Sequence, residues 1–138
     1  MSEIDTRQRE VVSEFSLFPD WLDRYQYLID LGRKLPPLDA GELNDGNLLD
    51  GCQSRVWLVT EGNRERLDIR ANSDAAIVSG LIALLIRVYS GAAPGEILDS
   101  KPKFIEDLGL AQHLSPTRAN GLHAMLTAIN HAAREALA

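Results

Sequence analysis

The stretch NLLDGCQSRVWLV, residues 47–59, holds the only cysteine of a 138-residue chain. Cys52 falls where a polar, glycine-bearing loop gives way to an apolar run. A thiolate is the nucleophile of sulfur exchange, and a solitary one can accept a group covalently and hand it on. One cysteine cannot close an internal disulfide, and it cannot by itself supply a zinc or iron–sulfur ligand set. Gly51 removes a Cβ from the approach to the thiol, so a partner's backbone or side chain can come close. Loop ends carry chemistry more often than strand middles do. Free cysteine is also among the most buried residue types, so Cys52 as a small packing group stays open at this point.

Other reactive side chains group less sharply. Gln53 and Ser54 follow the thiol and can hydrogen-bond the loop or a sulfur carried on it; alternatively they only close the strand. Arg55 is expected to be solvated, and Trp57 to be core. Arg118 falls at the third position of a helix opened by SPTR. A cation gains nothing from the dipole there, so something else should hold it: the Cys52 loop or a surface carboxylate. Asp74 suits a helix N-cap, with a partner interface as the alternative. The three histidines show no HExxH-like spacing, and no metal site is expected. His123 and His131 fall off the apolar stripe of the last helix, so both should be solvated. His113, just ahead of SPTR, is the one that can near the loop, but a Cys–His hydrolase is disfavoured.

Stepwise apolar spacing gives the elements that must position these residues. Residues 4–15 predict a first helix, ended near Pro19. Asp20 opens a second, DWLDRYQYLIDLGRKL, which Gly32 weakens and Pro36-Pro37 stop. Residues 35–51 read as a loop tacked to the core by Leu48 and Leu49. RVWLVT and RERLDIRA predict a hairpin about the turn EGN, the first strand buried on both faces and the second alternating. A third strand is expected around Gly46–Asp50. Asn72, Ser73 and Asp74 cap a third helix over 74–90, apolar nearly all round and hence central. Short helical turns follow. Ser115 and Pro116 open the last helix, whose stripe is Leu122, Met125, Leu126, Ile129 and Ala133. The order predicts one α+β domain over 1–138, with helices on one side of a small antiparallel sheet.

Composition excludes several classes. Apolar residues make up 45% and charged residues 25%, ordinary globular usage. A net charge of −6, with no Lys/Arg-rich block, argues against nucleic acid and anionic membrane surfaces as main partners. The run AAIVSGLIALLIRV, residues 75–88, is shorter than the roughly 20 residues of a span. The polar, acidic N-terminus does not resemble a signal peptide. A reducing cytoplasm is expected, where a free thiol stays free.

The residues also resemble a known family. GCQSRVWL is similar to the signature of the SufE/CsdE-type sulfur acceptors, in which Gly-Cys-Gln-Ser precedes a Val-Trp pair. YLIDLGRKLP, SDAAIVSGLIALL and QHLSPTRANGLHAM resemble further blocks of that family in the same order, over roughly residues 10–135. The resemblance implies an α+β fold like that of IscU-type scaffolds. It implies that Cys52 accepts sulfane sulfur from a pyridoxal-phosphate cysteine desulfurase of the SufS or CsdA type, becomes a persulfide, and raises that enzyme's turnover. Sulfur then passes to a SufBCD-type iron–sulfur scaffold. The implied acceptor cysteine sits on a loop tip in an apolar cavity. No cofactor is implied on this chain, and a homodimer is left open. Gly51, Gln53, Ser54, Arg118 and Asp74 are the supporting candidates. One thiol suits a carrier, because a second nearby could expel the sulfur as sulfide and leave a disulfide. The competing class is a non-covalent adaptor of the same machinery in which Cys52 merely packs.

Overall fold

The computed structural model describes residues 2–51 and 53–138. Helix α1 spans Glu3–Phe15, its first turn capped by Ser2, whose hydroxyl accepts from the Asp5 N–H. Ile4, Val11 and Phe15 recur at helical spacing and are buried. Helix α2, Trp21–Arg33, is capped by Asp20, whose carboxylate accepts from Asp23 N at 3.0 Å. The hairpin follows, β1 Val56–Gly62 and β2 Leu67–Ser73. Helix α3, Ala76–Tyr89, precedes three short helices, α4 Pro94–Asp99, α5 Lys103–Leu108 and α6 Leu110–His113. Helix α7, Pro116–Leu137, closes the chain, with the Ser115 hydroxyl accepting from Arg118 N.

Helix α3 is the hub. Val78, Leu81, Ile82, Leu84, Leu85, Val88 and Tyr89 are all buried, and the helix packs against α1, α2, β2 and α7. Its seam with α2 is unusually close. A Cβ built on Gly32 would stand 2.7 Å from the Gly80 nitrogen, and one on Gly80 would stand 2.6 Å from the Leu28 carbonyl carbon. Gly32, expected to weaken α2, instead lets two helix backbones approach. The packing gained at the seam offsets a helix-propensity cost of about 1 kcal/mol per glycine.

The two strands pair antiparallel from Val56↔Ser73 to Gly62↔Leu67. Leu67, Ile69 and Ala71 are buried, as the alternation in β2 predicts. In β1 only Val56 is fully buried, and Trp57 to Thr60 are half-buried, so the strand is only partly covered on each face. Trp57 is half-buried rather than core, because it points with Asn72 and Arg70 to the outer face of the sheet. The turn is Asn63–Arg66 rather than EGN. Gly62 still pairs with Leu67, and the Asn63 carboxamide accepts from Glu65 N and Arg66 N. The third strand expected around 46–50 reduces to a single Leu48↔Trp57 bridge and a bond from Leu49 N to Val56 O at 2.9 Å. The architecture is α+β: helices on the inner face of a two-stranded sheet, with one loop strapped across the outer face.

The strap has its own fastenings. Asn72 accepts from Leu38 N at 2.7 Å and donates to Pro36 O at 3.1 Å. Arg70 grips Glu42 with two hydrogen bonds, at 2.8 and 2.6 Å, and this holds the Glu42 carboxyl below the usual carboxylate range. Two 3-10 turns, Ala40–Glu42 and Asp45–Asn47, compact the intervening polar residues.

Candidate functional site

The Cys52 assignment, with the expected loop-tip cavity, lies outside the described residues. Its covalent neighbours are described, and they define a short segment between two fixed arms. On the entering side, Leu49 is hydrogen-bonded to Val56 and its side chain packs against the core. Gly51 is exposed and has φ +85°, a conformation that a side chain would strain. A Cβ built on Gly51 would stand 3.6 Å from Cβ of Ala124 on α7. On the leaving side, the Asp74 carboxylate accepts from Arg55 N at 3.1 Å, and Asp74 N donates to Arg55 O at 3.4 Å.

Asp74 therefore does not cap α3. The strand runs on to Ser73, the helix starts only at Ala76 behind a side-chain-free cap at Ala75, and the Ser73 hydroxyl accepts from Ala75 N instead. The carboxylate is used to fasten the exit of the cysteine loop.

Between the arms, Gln53 and Ser54 lie against the first turns of α7. Together with Thr117, Arg118 and Gly121 they rim a cavity of about 20 Å³ whose floor is Val78, Leu81 and Met125. That is room for roughly one water-sized group. Arg118, Gly121 and Met125 share one face of α7 through their spacing of three and four. Gly121 and Ala124 keep that face low, so loop backbone can lie on it. Arg118 is exposed, and its side chain makes no ion pair within 4.0 Å among the described residues. The surface-carboxylate alternative for Arg118 therefore has no partner there. Arg55 is likewise exposed. The structure brings together Gly51, Gln53, Ser54, Asp74 and Arg118 at one end of the hairpin.

Sequence reasoning misses Thr117 and Gly121. For Gly121 the signal is present: with Arg118 facing the loop, the residue three positions after it shares its face, whereas Thr117, next to Arg118 in sequence, has no such signal.

The histidines lie elsewhere. His123 and His131 are exposed, as expected from the stripe. His113 does not line the loop cavity. Its ring stacks on Trp21 of α2, centroids 3.9 Å apart and planes 12° apart. Among the described residues, no three of His, Asp and Glu come together as a metal-holding group. No helix among them is long and apolar enough to cross a membrane.

Residues 9–133 match the family described as "SufE: Fe-S metabolism associated domain". The solution structure of a hypothetical protein from Thermus thermophilus superposes with a TM-score of 0.76. It is 25% identical, and the match covers 94% of this chain and 95% of that one.

Proposed function

The chain belongs to the SufE family, which ties it to iron–sulfur metabolism, and from that premise we propose that it is a sulfur acceptor and relay whose carrier is Cys52. A persulfide on the desulfurase cysteine is attacked at its outer sulfur by the Cys52 thiolate. The new bond is Cys52–S–S. The bond that breaks is the enzyme's S–S bond, and the enzyme thiolate leaves with the electron pair. No net oxidant or reductant is consumed. The desulfurase is freed for its next turnover, which is how a stoichiometric carrier raises a catalytic rate. Cys52 then yields its sulfur to a thiol of a SufBCD-type assembly scaffold by the same exchange.

The observation that supports the reading is that the residues following the sole cysteine in sequence, Gln53 and Ser54, line a cleft with Arg118, a cation without an ion pair among the described residues. Arg118 favours a sulfur anion over its neutral form. Gln53, Ser54 and Thr117 offer donors to that anion. Asp74 keeps the loop's exit fixed while the segment 50–54 moves. Pyridoxal phosphate belongs to the partner desulfurase, of the SufS or CsdA type; this chain needs no cofactor. It works in the cytoplasm, where the thiol stays reduced.

Incubation with a cysteine desulfurase and cysteine, without reductant, should add one sulfur mass to the intact protein. The gain should vanish in Cys52→Ala and on adding a thiol reductant. No gain beside a desulfurase that turns over would leave the adaptor reading, in which Cys52→Ser still activates the enzyme.

A further inference from the structure

Arg118 stands on the first turn of α7, and that turn has little burial of its own. Ser115, Pro116, Thr117 and Arg118 are all exposed, and the first fully buried residue beyond them is Leu122. Packing along the rest of α7 fixes the helix axis, but an exposed first turn can fray. Leu114, buried just ahead of the cap, anchors the entry to the core, and the residue before it must be held as well if the guanidinium is to face the Gln53–Ser54 side.

A clamp from α2 does this at His113, two residues before the cap. The imidazole lies flat on the Trp21 indole. The Tyr25 hydroxyl donates to the His113 carbonyl. The His113 Nδ1 is 3.0 Å from Gly109 O, which ties the ring back across α6. The Arg24 guanidinium sits 5.2 Å from the Trp21 ring centroid while its Nε donates to Phe18 O at 2.8 Å, so the indole is itself braced. Two residues on, Ser115 caps α7 through the Arg118 N–H at 3.3 Å, and Ala119 N donates to Ser115 O at 2.9 Å. The route from Trp21 and Tyr25 through His113 and Ser115 to Arg118 is continuous.

We propose that His113 is a positioning residue for Arg118: held by Trp21 and Tyr25, it sets where the first turn of α7 begins and so where the Arg118 guanidinium meets sulfur arriving at the Cys52 loop. It touches neither sulfur nor partner. The inference rests on the sulfur-acceptor reading of the same site.

The test is a double-mutant cycle on the rate of sulfur gain, read by intact mass at saturating desulfurase and cysteine. His113→Ala should lower the maximal loading rate about tenfold, the scale expected when a reacting group is misplaced by about an ångström. The desulfurase concentration at half-saturation should stay close to the wild-type value. Arg118→Ala should lower the rate comparably, and adding His113→Ala to it should change nothing more. His113→Tyr keeps an aromatic ring on Trp21 and the backbone acceptor for Tyr25, so it should restore most of the rate. Equal losses from His113→Ala in the presence and absence of Arg118 would overturn the inference, as would unchanged loading in His113→Ala. If the wild-type protein takes up no sulfur, the acceptor reading fails, and this inference with it.

Discussion

The seam between α2 and α3 and the segment Asp50–Arg55 stand at opposite ends of a scale. At the seam, Gly32 and Gly80 let two backbones meet with no room for a Cβ on either side. In the segment, Gly51, Gln53 and Arg55 are exposed, and the arms are fastened by the Asp74 carboxylate and by backbone bonds at Leu49 and between Asp74 and Arg55. Close-packed interiors resist change, whereas thinly held loops open locally at low cost. Under the proposed sulfur-acceptor function, the contrast would let the segment move while the framework around it stays folded. The strap supports the same division: Leu38, Glu42 and Leu48 are fastened to Asn72, Arg70 and Trp57 of the sheet up to the edge of the segment.

The contrast is broken most severely at the seam. Gly80→Val would drive new side-chain atoms into the Leu28 backbone, which cannot yield. A loss of about 3 kcal/mol or more is expected, seen as a lower denaturant midpoint or as failure to fold. An unchanged midpoint would mean that the seam can open, and the scaffold would then be no more rigid than the loop.

Alkaline titration probes the same scaffold more gently. Tyr89 is 3% exposed, and burial pushes its phenol up to about 12 from 10.0. The unfolded chain therefore loses this proton at lower pH than the folded one. The contribution of the neutral phenol is complete below about pH 10 and is lost as pH rises towards about 12, amounting to about 3 kcal/mol. Denaturant midpoints should fall between about pH 10 and about pH 12, and Tyr89→Phe should flatten that fall. An equal fall in the variant would place the alkaline weakness in other groups.

Much of this is legible in the sequence because local chemistry and tertiary demand coincide. Asp20 and Ser115 cap helices where their types predict. The alternation of Leu67, Ile69 and Ala71 gives β2 its buried face, and the apolar α3 is the hub. Failures come where a residue serves a distant partner. Gly32 reads as a helix breaker unless Gly80, far along the chain, is known to face it. Asp74 reads as a cap, but Arg55, 19 residues before it, takes the carboxylate. His113 reads as loop-facing until Trp21 and Tyr25 are seen to hold it. Trp57 reads as core because indoles usually are, but its register with Asn72 turns it outward.

Loosening the loop itself sharpens the contrast. Asp74→Ala removes the acceptor of the Arg55 N–H, at a cost of about 1 kcal/mol locally. Hydrogen exchange at Arg55 should quicken, while exchange in α3 stays as slow as before. If α3 quickens equally, Asp74 belongs to the scaffold and not to the loop.

The smallest change in stability should come at Ala124, where Gly51 comes nearest to α7. Leucine is nearly as good a helix former as alanine, and Ala124 is only half-buried, so Ala124→Leu should shift the unfolding midpoint by less than about 0.5 kcal/mol. Its added atoms would nevertheless fill the low face on which the loop backbone lies, and the segment would have to lift. If that face restrains the segment, alkylation of Cys52 in the free protein should be faster than in wild type, because thiol reactivity follows access. On the proposed function the advantage should shrink when a cysteine desulfurase is added, since docking would lift the same segment in both proteins. Equal alkylation rates in the free proteins would mean that the face of α7 at Ala124 does not hold the loop. Restraint of the segment would then fall to its fastenings at Asp74 and Leu49.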